Sequence, residues 1–383
     1  MTAPTTANEI AGAMDLLRKG DAESARKQLQ VLTGSPLGSG SASAWFSLAV
    51  AQRALGDQGA MHAALDKSLD LEPRELRALL LKSDTLAVQG NRRAALTYYG
   101  FIVKLYPDPD KYPLPVAAEI RRAHETHARL DHEVFQRMQA GVAAAGFREG
   151  ASPRFTQSLA LLQGKSRRFE QEPRSYFFPE LPTVTYYDRA LFPWMDALEA
   201  ATSDIRAELQ GLLAGPNVFA PYIEAEANMP VDRTHPLLDS PDWTASYLYR
   251  EGKIVSEIAD RCPKTMAAVA HAPLEKIKGR APFILFSKLT PGAWIRPHTG
   301  FFNTRLVCHL PVIVSEKCWF RVGADVCGWE EGKCFAFNDT IEHEARNEGQ
   351  GTRTVLIFNI WRPELTEEER RLVTALMESI DTI

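Results

Sequence analysis

Residues 43–107 carry a helical pattern of apolar positions that occurs twice in succession. Small residues in the pattern let paired helices approach, while glycine and proline mark the ends of helices. A weaker copy of the pattern covers 14–32, displaced by the Gly/Ser-rich stretch 34–43. The matched positions of the two main copies are Ala49 and Ser83, Gly56 and Gly90, Leu65 and Tyr99, and Pro73 and Pro107.

Each matched pair has the same offset, about 34 residues, which is the period of tetratricopeptide repeats. The segment resembles these repeats in two units and more weakly in a third. Stacked helical repeats usually bind a peptide or assemble with a partner, but they also serve as a support for a neighbouring domain. We therefore expect an all-α N-terminal part that holds a peptide or protein substrate, with the purely supporting role left open.

The apolar pattern changes from period 3.6 to period two in the C-terminal half. A proline-rich stretch, 214–243, has little periodicity and is long enough to be a functional loop. Beyond it, five short alternating segments separated by Gly, Asn or Asp predict successive strands of an antiparallel jelly-roll. Thr366 and Glu369 form a capping-box pattern that predicts a final helix.

These patterns predict an α+β chain of three parts. Tetratricopeptide-like helical repeats occupy 1–110, a helical connector 111–175, and a jelly-roll (double-stranded β-helix) domain 176–383. Three histidines lie in the connector, at positions 124, 127 and 132. Their spacing does not match HExxH and charged residues separate them, so they are more typical of an exposed helix face than of a metal site.

Composition narrows the class of protein. The 383 residues carry a formal net charge of -4, and no block of like charges indicates binding to nucleic acid or to a membrane surface. No apolar run is long enough for a membrane span, so we expect a cytoplasmic protein with no membrane partner. The five cysteines contain no CxxC pair, which favours free thiols. The sequence leaves the oligomeric state open.

Strand alternation places unusual polar side chains inside the predicted jelly-roll. Arg305 and His309 lie on one face of their strand, and Arg353 lies on a second strand that is apolar on both faces. A buried cation needs a partner, which an anionic ligand can supply. His298 and His343, near strand ends, could converge on a metal. Alternatively, each histidine is a hydrogen-bonded core residue and Arg353 pairs with a carboxylate of the chain.

Four spaced motifs resemble the aspartyl/asparaginyl β-hydroxylase family of Fe(II)- and 2-oxoglutarate-dependent oxygenases. The resemblance runs from about Tyr176 to the C-terminus and is densest over 283–365. Tetratricopeptide repeats also precede the oxygenase domain in that family. The motifs are "FSKLTPGAWIRPHTG", "TRLVCHLPVIV", "WEEGKCFAFNDTIEHEA" and "TRTVLIFNIWRPEL".

The resemblance implies a role for each matched residue. His298 and His343 would be the two iron ligands. Arg353, helped by Ser287, would bind the distal carboxylate of 2-oxoglutarate, and His309 would contact the other end of that cosubstrate.

The expected carboxylate ligand is missing from its usual place. Gly300 stands two residues after His298, where related oxygenases carry Asp or Glu, and the resembled family is known for this replacement. Asp339, Glu342 and Glu344 lie near enough in sequence to ligate, but we expect that none does. Some members of the resembled family have an arginine where this chain has Val307. Arg305 is therefore the only arginine of its segment, and we count it among the cosubstrate-binding residues.

The implied activity is hydroxylation of the β-carbon of an Asp or Asn residue in a peptide or protein. Dioxygen and 2-oxoglutarate would be consumed, and succinate and CO2 released. We expect 214–243 to form a wall of the substrate site, with Phe301 and Phe302 near its entrance. The alternatives are the same chemistry on a small metabolite or a lipid-linked substrate, and a non-catalytic scaffold whose jelly-roll no longer reacts.

Overall fold

A computed structural model describes residues 5–225 and 233–380, and the chain forms two compact units, 1–152 and 153–383. The first unit is helical throughout its described part. Its α-helices are α1 (Thr6–Arg18), α2 (Ala22–Thr33), α3 (Ala42–Ala54), α4 (Gln58–Leu71), α5 (Leu76–Val88), α6 (Arg92–Leu105) and α7 (Leu114–Ala144).

The repeat in the sequence has a counterpart in the helices. Helices α5 and α6 follow α3 and α4 at the offset seen in the sequence and have the same lengths, 13 and 14 residues. Gly56 and Gly90 both take a φ of +77°, a conformation that glycine adopts without strain, just after α3 and α5 end. The predicted small positions, Ala49 and Ser83, are completely buried. The assignment to the tetratricopeptide class itself stays a prediction.

The second unit combines helices with two antiparallel sheets, as predicted. Its helices are α8 (Pro153–Leu162), α9 (Met195–Ala200), α10 (Thr202–Ala214), α11 (Ser256–Ala259), α12 (Pro263–Val269) and α13 (Glu367–Ile380). Its strands are β1 (Ala220–Pro221), β2 (Trp243–Arg250), β3 (Lys253–Ile254), β4 (Ile284–Leu289), β5 (Trp294–His298), β6 (Arg305–Ile313), β7 (Cys318–Val322), β8 (Asp325–Gly328), β9 (Phe335–Phe337), β10 (His343–Asn347) and β11 (Arg353–Trp361).

The two sheets give this unit its jelly-roll architecture. The larger sheet has the strand order β1-β2-β4-β11-β6-β9, with β3 paired to β2, and the smaller has the order β5-β10-β7-β8. Strand β11 lies between β4 and β6 at the centre of the larger sheet, where Ile357 faces His309 across the strand pair. Strand β10 lies between β5 and β7 in the smaller sheet.

Alternate residues of the central strands face two different cores. Leu306, Cys308 and Leu356 belong to the core that the larger sheet forms with α9, α10 and α12. Val355 belongs instead to the core it shares with strands of the smaller sheet, among them Phe320 of β7. The period-two pattern therefore predicted the faces correctly, and the second core surrounds the predicted site.

The boundary between the two units falls inside the predicted connector. Helix α7 ends in the first unit, while 153–175 belongs to the second, where an isolated bridge joins Gln171 to Ile341 in the loop before β10. Within the described residues, every helix is too short or too polar to cross a membrane.

Candidate functional site

His298 and His343 lie side by side at the ends of two paired strands. His298 is the last residue of β5 and His343 the first residue of β10, and the two are direct partners in the antiparallel register. Their ring centroids are 4.1 Å apart. The strand pairing thus brings together two histidines that are distant in the sequence.

Both imidazole rings are oriented by the backbone in the same way. Nδ1 of His298 lies 2.8 Å from the carbonyl oxygen of Arg296, and Nδ1 of His343 lies 3.0 Å from that of Ile341. A neutral ring that donates from Nδ1 keeps its Nε2 lone pair for a metal. Burial lowers the pKa of His298 and lowers that of His343 well below its usual range, so both rings are neutral at pH 7.

The space beside Gly300, where a side chain at this position would lie, is filled by a neighbouring carboxylate. A Cβ atom on Gly300 would collide with the carboxylate of Asp339. The Gly300 amide also donates to the Asp339 carbonyl oxygen at 2.7 Å, which holds the two residues together. Asp339 is buried and its Oδ1 has no hydrogen-bond partner. A side chain at position 300 would therefore require the Asp339 carboxylate to move.

The other two nearby carboxylates are engaged elsewhere. Glu342 forms ion pairs with Arg167, at 2.7 Å, and with Arg321, at 3.0 Å. Glu344 bonds to Arg321 and accepts a hydrogen bond from the indole of Trp294 at 2.8 Å. Of the three carboxylates considered from the sequence, Asp339 alone lies against the segment that follows His298.

The donor set fits a metal held by two imidazoles. Within residues 5–225 and 233–380, no three His, Cys, Asp or Glu side chains converge as a metal cluster. A metal ion bound only by these two imidazoles would keep several coordination sites for other ligands. An iron centre accommodates a cosubstrate in this way. The unpaired Oδ1 of Asp339 adds a buried acceptor close by.

Arg353 is a buried cation without a carboxylate partner in the described chain. It is 1% exposed, and burial lowers its pKa. Its Nη1 lies 3.5 Å from the carbonyl oxygen of Ser287, and its Nε has no hydrogen-bond partner. The guanidinium also lies 4.8 Å from the Trp329 ring centroid and contacts the Cys318 thiol. A buried guanidinium in this state is costly unless an anion completes it.

His309 lies in an aromatic box between Arg353 and the histidine pair. Four aromatic rings have centroids within 5.5 Å of its own: Phe320, Trp329, Phe335 and Phe337. Phe337 also lies 5.4 Å from the ring of His343, and Trp329 contacts Arg353. Burial lowers the pKa of His309 well below its usual range, and its Nδ1 has no partner. The box therefore connects the two ends of one site.

Ser287 links this site to the predicted substrate wall. Its hydroxyl accepts a hydrogen bond from the Trp243 indole at 3.0 Å, and Tyr222 stacks on that indole with centroids 4.0 Å apart. Tyr222 and Trp243 come from the predicted wall, 214–243. Residues 226–232 of that wall lie outside the described part, so its role stays a prediction.

Arg305 has a different environment from that expected for a cosubstrate ligand. Its guanidinium lies 3.5 Å from the carboxylate of Glu275, 3.9 Å from that of Asp339 and 5.2 Å from the ring centroid of Phe302. Burial alone would lower the pKa of Arg305, but the two carboxylates raise it above its usual value. Arg305 also lines a cavity of about 490 Å³ that Phe301 and Phe302 share.

Three residues of this region were missed by the sequence analysis. Glu275 lies in a stretch without periodicity, and nothing local marks it as the partner of Arg305. Gln171 and Arg174 lie before the predicted domain boundary at 176, yet the Arg174 amide donates to the Gly300 carbonyl oxygen at 2.9 Å. No signal in the sequence marks these contacts, because each joins parts of the chain that only folding brings together.

Comparison with known proteins confirms the family resemblance for this unit. Residues 199–363 match the family model described as aspartyl/asparaginyl beta-hydroxylase. That range contains all six predicted site residues, and the first unit lies outside it.

Individual relatives each match part of the chain. Aspartate beta-hydroxylase domain-containing protein 2 of Xenopus tropicalis is 27% identical over 54% of this chain and 55% of its own length. The human aspartyl/asparaginyl beta-hydroxylase is 33% identical over 37% of this chain and 18% of its own. The ornithine lipid ester-linked acyl 2-hydroxylase of Rhizobium tropici is 32% identical over 49% of this chain and 63% of its own.

These matches are partial on both sides. The chain spans about half the length, or less, of the first relatives it matches. Among solved structures, a cupin domain protein from Salinispora arenicola aligns over 40% of this chain and 98% of its own, at 11% identity and a TM-score of 0.22. That value is too low to add to what the strand pairing shows.

Proposed function

We propose that this protein, through the unit that matches the aspartyl/asparaginyl β-hydroxylase model, is an Fe(II)- and 2-oxoglutarate-dependent oxygenase that hydroxylates a C–H bond. Our preferred substrate is the β-carbon of an Asp or Asn residue in a peptide. The observation that carries the proposal is Arg353, a buried cation with no carboxylate partner among the described residues, joined by the aromatic box to two oriented histidines.

Each of these residues would have one task. His298 and His343 would hold the iron through Nε2, with Nδ1 of each ring kept on a backbone carbonyl. Arg353 would bind the distal carboxylate of 2-oxoglutarate with charge-assisted hydrogen bonds. Bound iron, with 2-oxoglutarate and dioxygen, supplies the oxidation of the C–H bond. The aromatic box around His309 would exclude water from that reaction.

The test is an anaerobic titration of the metal-free protein with Fe(II) and 2-oxoglutarate, following the visible metal-to-ligand charge-transfer band. We expect a band in the wild type, no band in His343→Ala, and a band in Arg353→Ala only at much higher 2-oxoglutarate concentrations. This measurement needs no substrate. A folded wild type without a band would contradict the proposal and would favour the non-catalytic scaffold.

A second candidate substrate, an acyl chain, is favoured by a specific cavity. The cavity of about 490 Å³ beside Arg305 has mostly apolar walls, and the exposed ring of Phe301, close after His298 in the chain, lies at its edge. The similarity to an ornithine lipid hydroxylase points in the same direction. Charged residues line the cavity as well, namely Glu251, Glu275, Arg280 and Arg305. Its apolar side chains are those of Ile277, Ala281, Phe283, Phe301, Phe302, Val373 and Met377.

The two substrate classes can be separated by coupled turnover. Succinate release would be measured with Asp- or Asn-containing peptides and, separately, with acylated lipids in detergent micelles. Phe302→Asp should abolish turnover of an acyl substrate because it replaces an apolar ring of the cavity wall with a charge that an acyl chain cannot pair. Peptide turnover that survives this substitution would exclude the cavity as the site of the reacting group.

A further inference from the structure

One short segment, 171–176, is hydrogen-bonded to both loops that carry the histidine pair. The Glu172 amide donates to the carbonyl oxygen of Thr340 at 2.7 Å, three residues before His343. The Arg174 amide donates to the carbonyl oxygen of Gly300 at 2.9 Å, two residues after His298. The segment therefore connects two loops that are well separated in the chain.

The side chain of Gln171 is the centre of this connection. Its Oε1 accepts hydrogen bonds from three buried donors, while its Nε2 donates to the carbonyl oxygen of Leu181 at 2.8 Å and to the hydroxyl of Thr183 at 3.4 Å. The three donors are Nη1 of Arg362 at 2.8 Å, Nδ2 of Asn338 at 3.2 Å and Nδ2 of Asn303 at 3.4 Å.

Two of these donors organise the loops themselves. Asn338 accepts from the amide of Thr340 at 3.1 Å and from its hydroxyl at 2.6 Å, which shapes the turn before His343. Asn303 accepts from the amide of Phe178 at 2.7 Å and lies in the loop after His298. Asn338, Asn303 and Arg362 are completely buried, so losing the acceptor would leave buried donors with fewer partners.

We propose that Gln171 is a positioning residue for the histidine pair, because it joins the loop after His298 to the loop before His343. The inference rests on the proposed function only in naming the metal; the connection itself is between residues of this chain. Losing a group that hydrogen-bonds directly to a ligating histidine typically costs about 10–100-fold in metal affinity. Gln171 acts one step further away, through the two loops, so we expect an effect at the lower end of that range. Gln171 lies far before His298 in the sequence, which is why the motifs alone do not reveal it.

The test uses three substitutions. Gln171→Met keeps a side chain of similar length but removes every hydrogen bond that the Gln171 side chain makes. Gln171→Glu keeps an oxygen acceptor for Arg362, Asn338 and Asn303, and loses only the bonds that Nε2 donates. Gln210→Met makes the same chemical change at an exposed position of α10 and serves as the matched control. Should Gln171→Met fail to fold, Gln171→Asn, whose amide is one methylene shorter, replaces it.

Two readouts separate positioning from general stability. The first is the dissociation constant of Fe(II), measured anaerobically at a temperature where urea unfolding shows each variant to be fully folded. The second is the nuclear Overhauser contact between the rings of His298 and His343 in the metal-free protein, which their 4.1 Å separation should produce. Neither readout depends on activity.

We expect Gln171→Met to bind Fe(II) about tenfold more weakly and to weaken the ring contact, while Gln171→Glu and Gln210→Met stay within about twofold of the wild type. A folded Gln171→Met with wild-type affinity and an intact ring contact would overturn the inference. If the wild type itself does not bind Fe(II), the proposed function fails instead, and the ring contact alone then decides whether Gln171 positions the two histidines.

Discussion

Two buried arginines, Arg305 and Arg353, lie at opposite ends of the paired strands β6 and β11 and have opposite electrostatic surroundings. Arg305 pairs in register with Trp361, the last residue of β11, whereas Arg353 is the first residue of that strand. Arg305 has the carboxylates of Glu275 and Asp339 beside it. Arg353 has a thiol, a carbonyl oxygen and an indole ring instead.

This difference supports the proposal that Arg353 binds an anionic ligand, whereas Arg305 lies in a group of buried charges within the protein. The carboxylates raise the pKa of Arg305, whereas burial lowers that of Arg353. A buried charge without a partner is expensive, so a folded chain keeps one where a ligand supplies the missing charge. By this argument Arg353 needs an anionic ligand, whereas Arg305 already has the carboxylates of Glu275 and Asp339 beside it.

The largest expected effect comes from Arg305→Met. The substitution would leave the buried carboxylates of Glu275 and Asp339 without their cation, and breaking a buried pair in this way costs about 3–5 kcal/mol. Urea unfolding without ligands would measure the loss. The double variant Arg305→Met/Glu275→Gln should recover part of it. An unchanged free energy of unfolding in Arg305→Met would show that the pair does not matter to the fold.

The same substitution at the other end, Arg353→Met, should behave in the opposite way. No carboxylate among the described residues loses its partner and an unpaired buried charge is removed, so we expect the free energy of unfolding without ligand to stay the same or to rise. The affinity for 2-oxoglutarate should fall at least about 30-fold, because truncating a buried charged partner costs about 2–5 kcal/mol. Calorimetric titration of the metal-loaded protein would check this. Equal destabilisation by both substitutions would remove the distinction between the two arginines.

A smaller effect is expected when the charge is kept and the shape is changed. Arg353→Lys retains a cation but loses the planar guanidinium that can bind a carboxylate through two parallel hydrogen bonds. We expect about tenfold weaker binding of 2-oxoglutarate, or ~1.4 kcal/mol. The titration of the charge-transfer band would measure it. Wild-type affinity in the lysine variant would mean that charge alone holds the cosubstrate.

The smallest effect is a difference in pH dependence between the two ends. Burial lowers the pKa of His309 in the folded state, while in the unfolded chain it lies near about 6.5. At a pH below about 6.5, His309 therefore binds a proton in the unfolded state but not in the folded state. Its contribution to the free energy of unfolding is complete at higher pH and decreases as the pH falls below that value. We expect a loss of about 1 kcal/mol from this histidine by about pH 5.5.

The control for this pH effect is His309→Phe, which keeps an aromatic ring in the box. Between about pH 7 and pH 5.5 its free energy of unfolding should depend less on pH than that of the wild type. At the Arg305 end the sign is reversed, because burial raises the pKa of Glu275 and protonation there favours the folded state. An identical pH profile for His309→Phe and the wild type would contradict the assignment of a neutral, buried imidazole.

The features predicted from the sequence were those with local causes. The capping box at the last helix is present, with the Thr366 amide donating to Glu369 at 2.7 Å and the Glu369 amide donating to Thr366 at 3.2 Å. The repeated spacing of the helices and the two faces of β6 and β11 follow from apolar periods of about 3.6 and two. Burial of Arg305, His309 and Arg353 followed from the same alternation and is confirmed.

The features that were missed depend on contacts between separate parts of the chain. The assignment of Arg305 to the cosubstrate stays a prediction, and only the structure reveals Glu275 as its buried neighbour. Gln171 lies in a segment without regular structure, and its partners Asn303 and Arg362 are 132 and 191 positions away. Alternation shows that a side chain is buried, but it does not show which other side chain meets it there.

The close packing of Gly300 against Asp339 also bears on how such a site can change over time. A single substitution that puts a carboxylate at position 300 would force it into the space that Asp339 already fills. A third side-chain ligand of the kind used by many related oxygenases therefore requires the Asp339 carboxylate to move or to be replaced. Replacing Asp339 first by a smaller residue would open that space, and the intermediate sequence would then carry neither carboxylate.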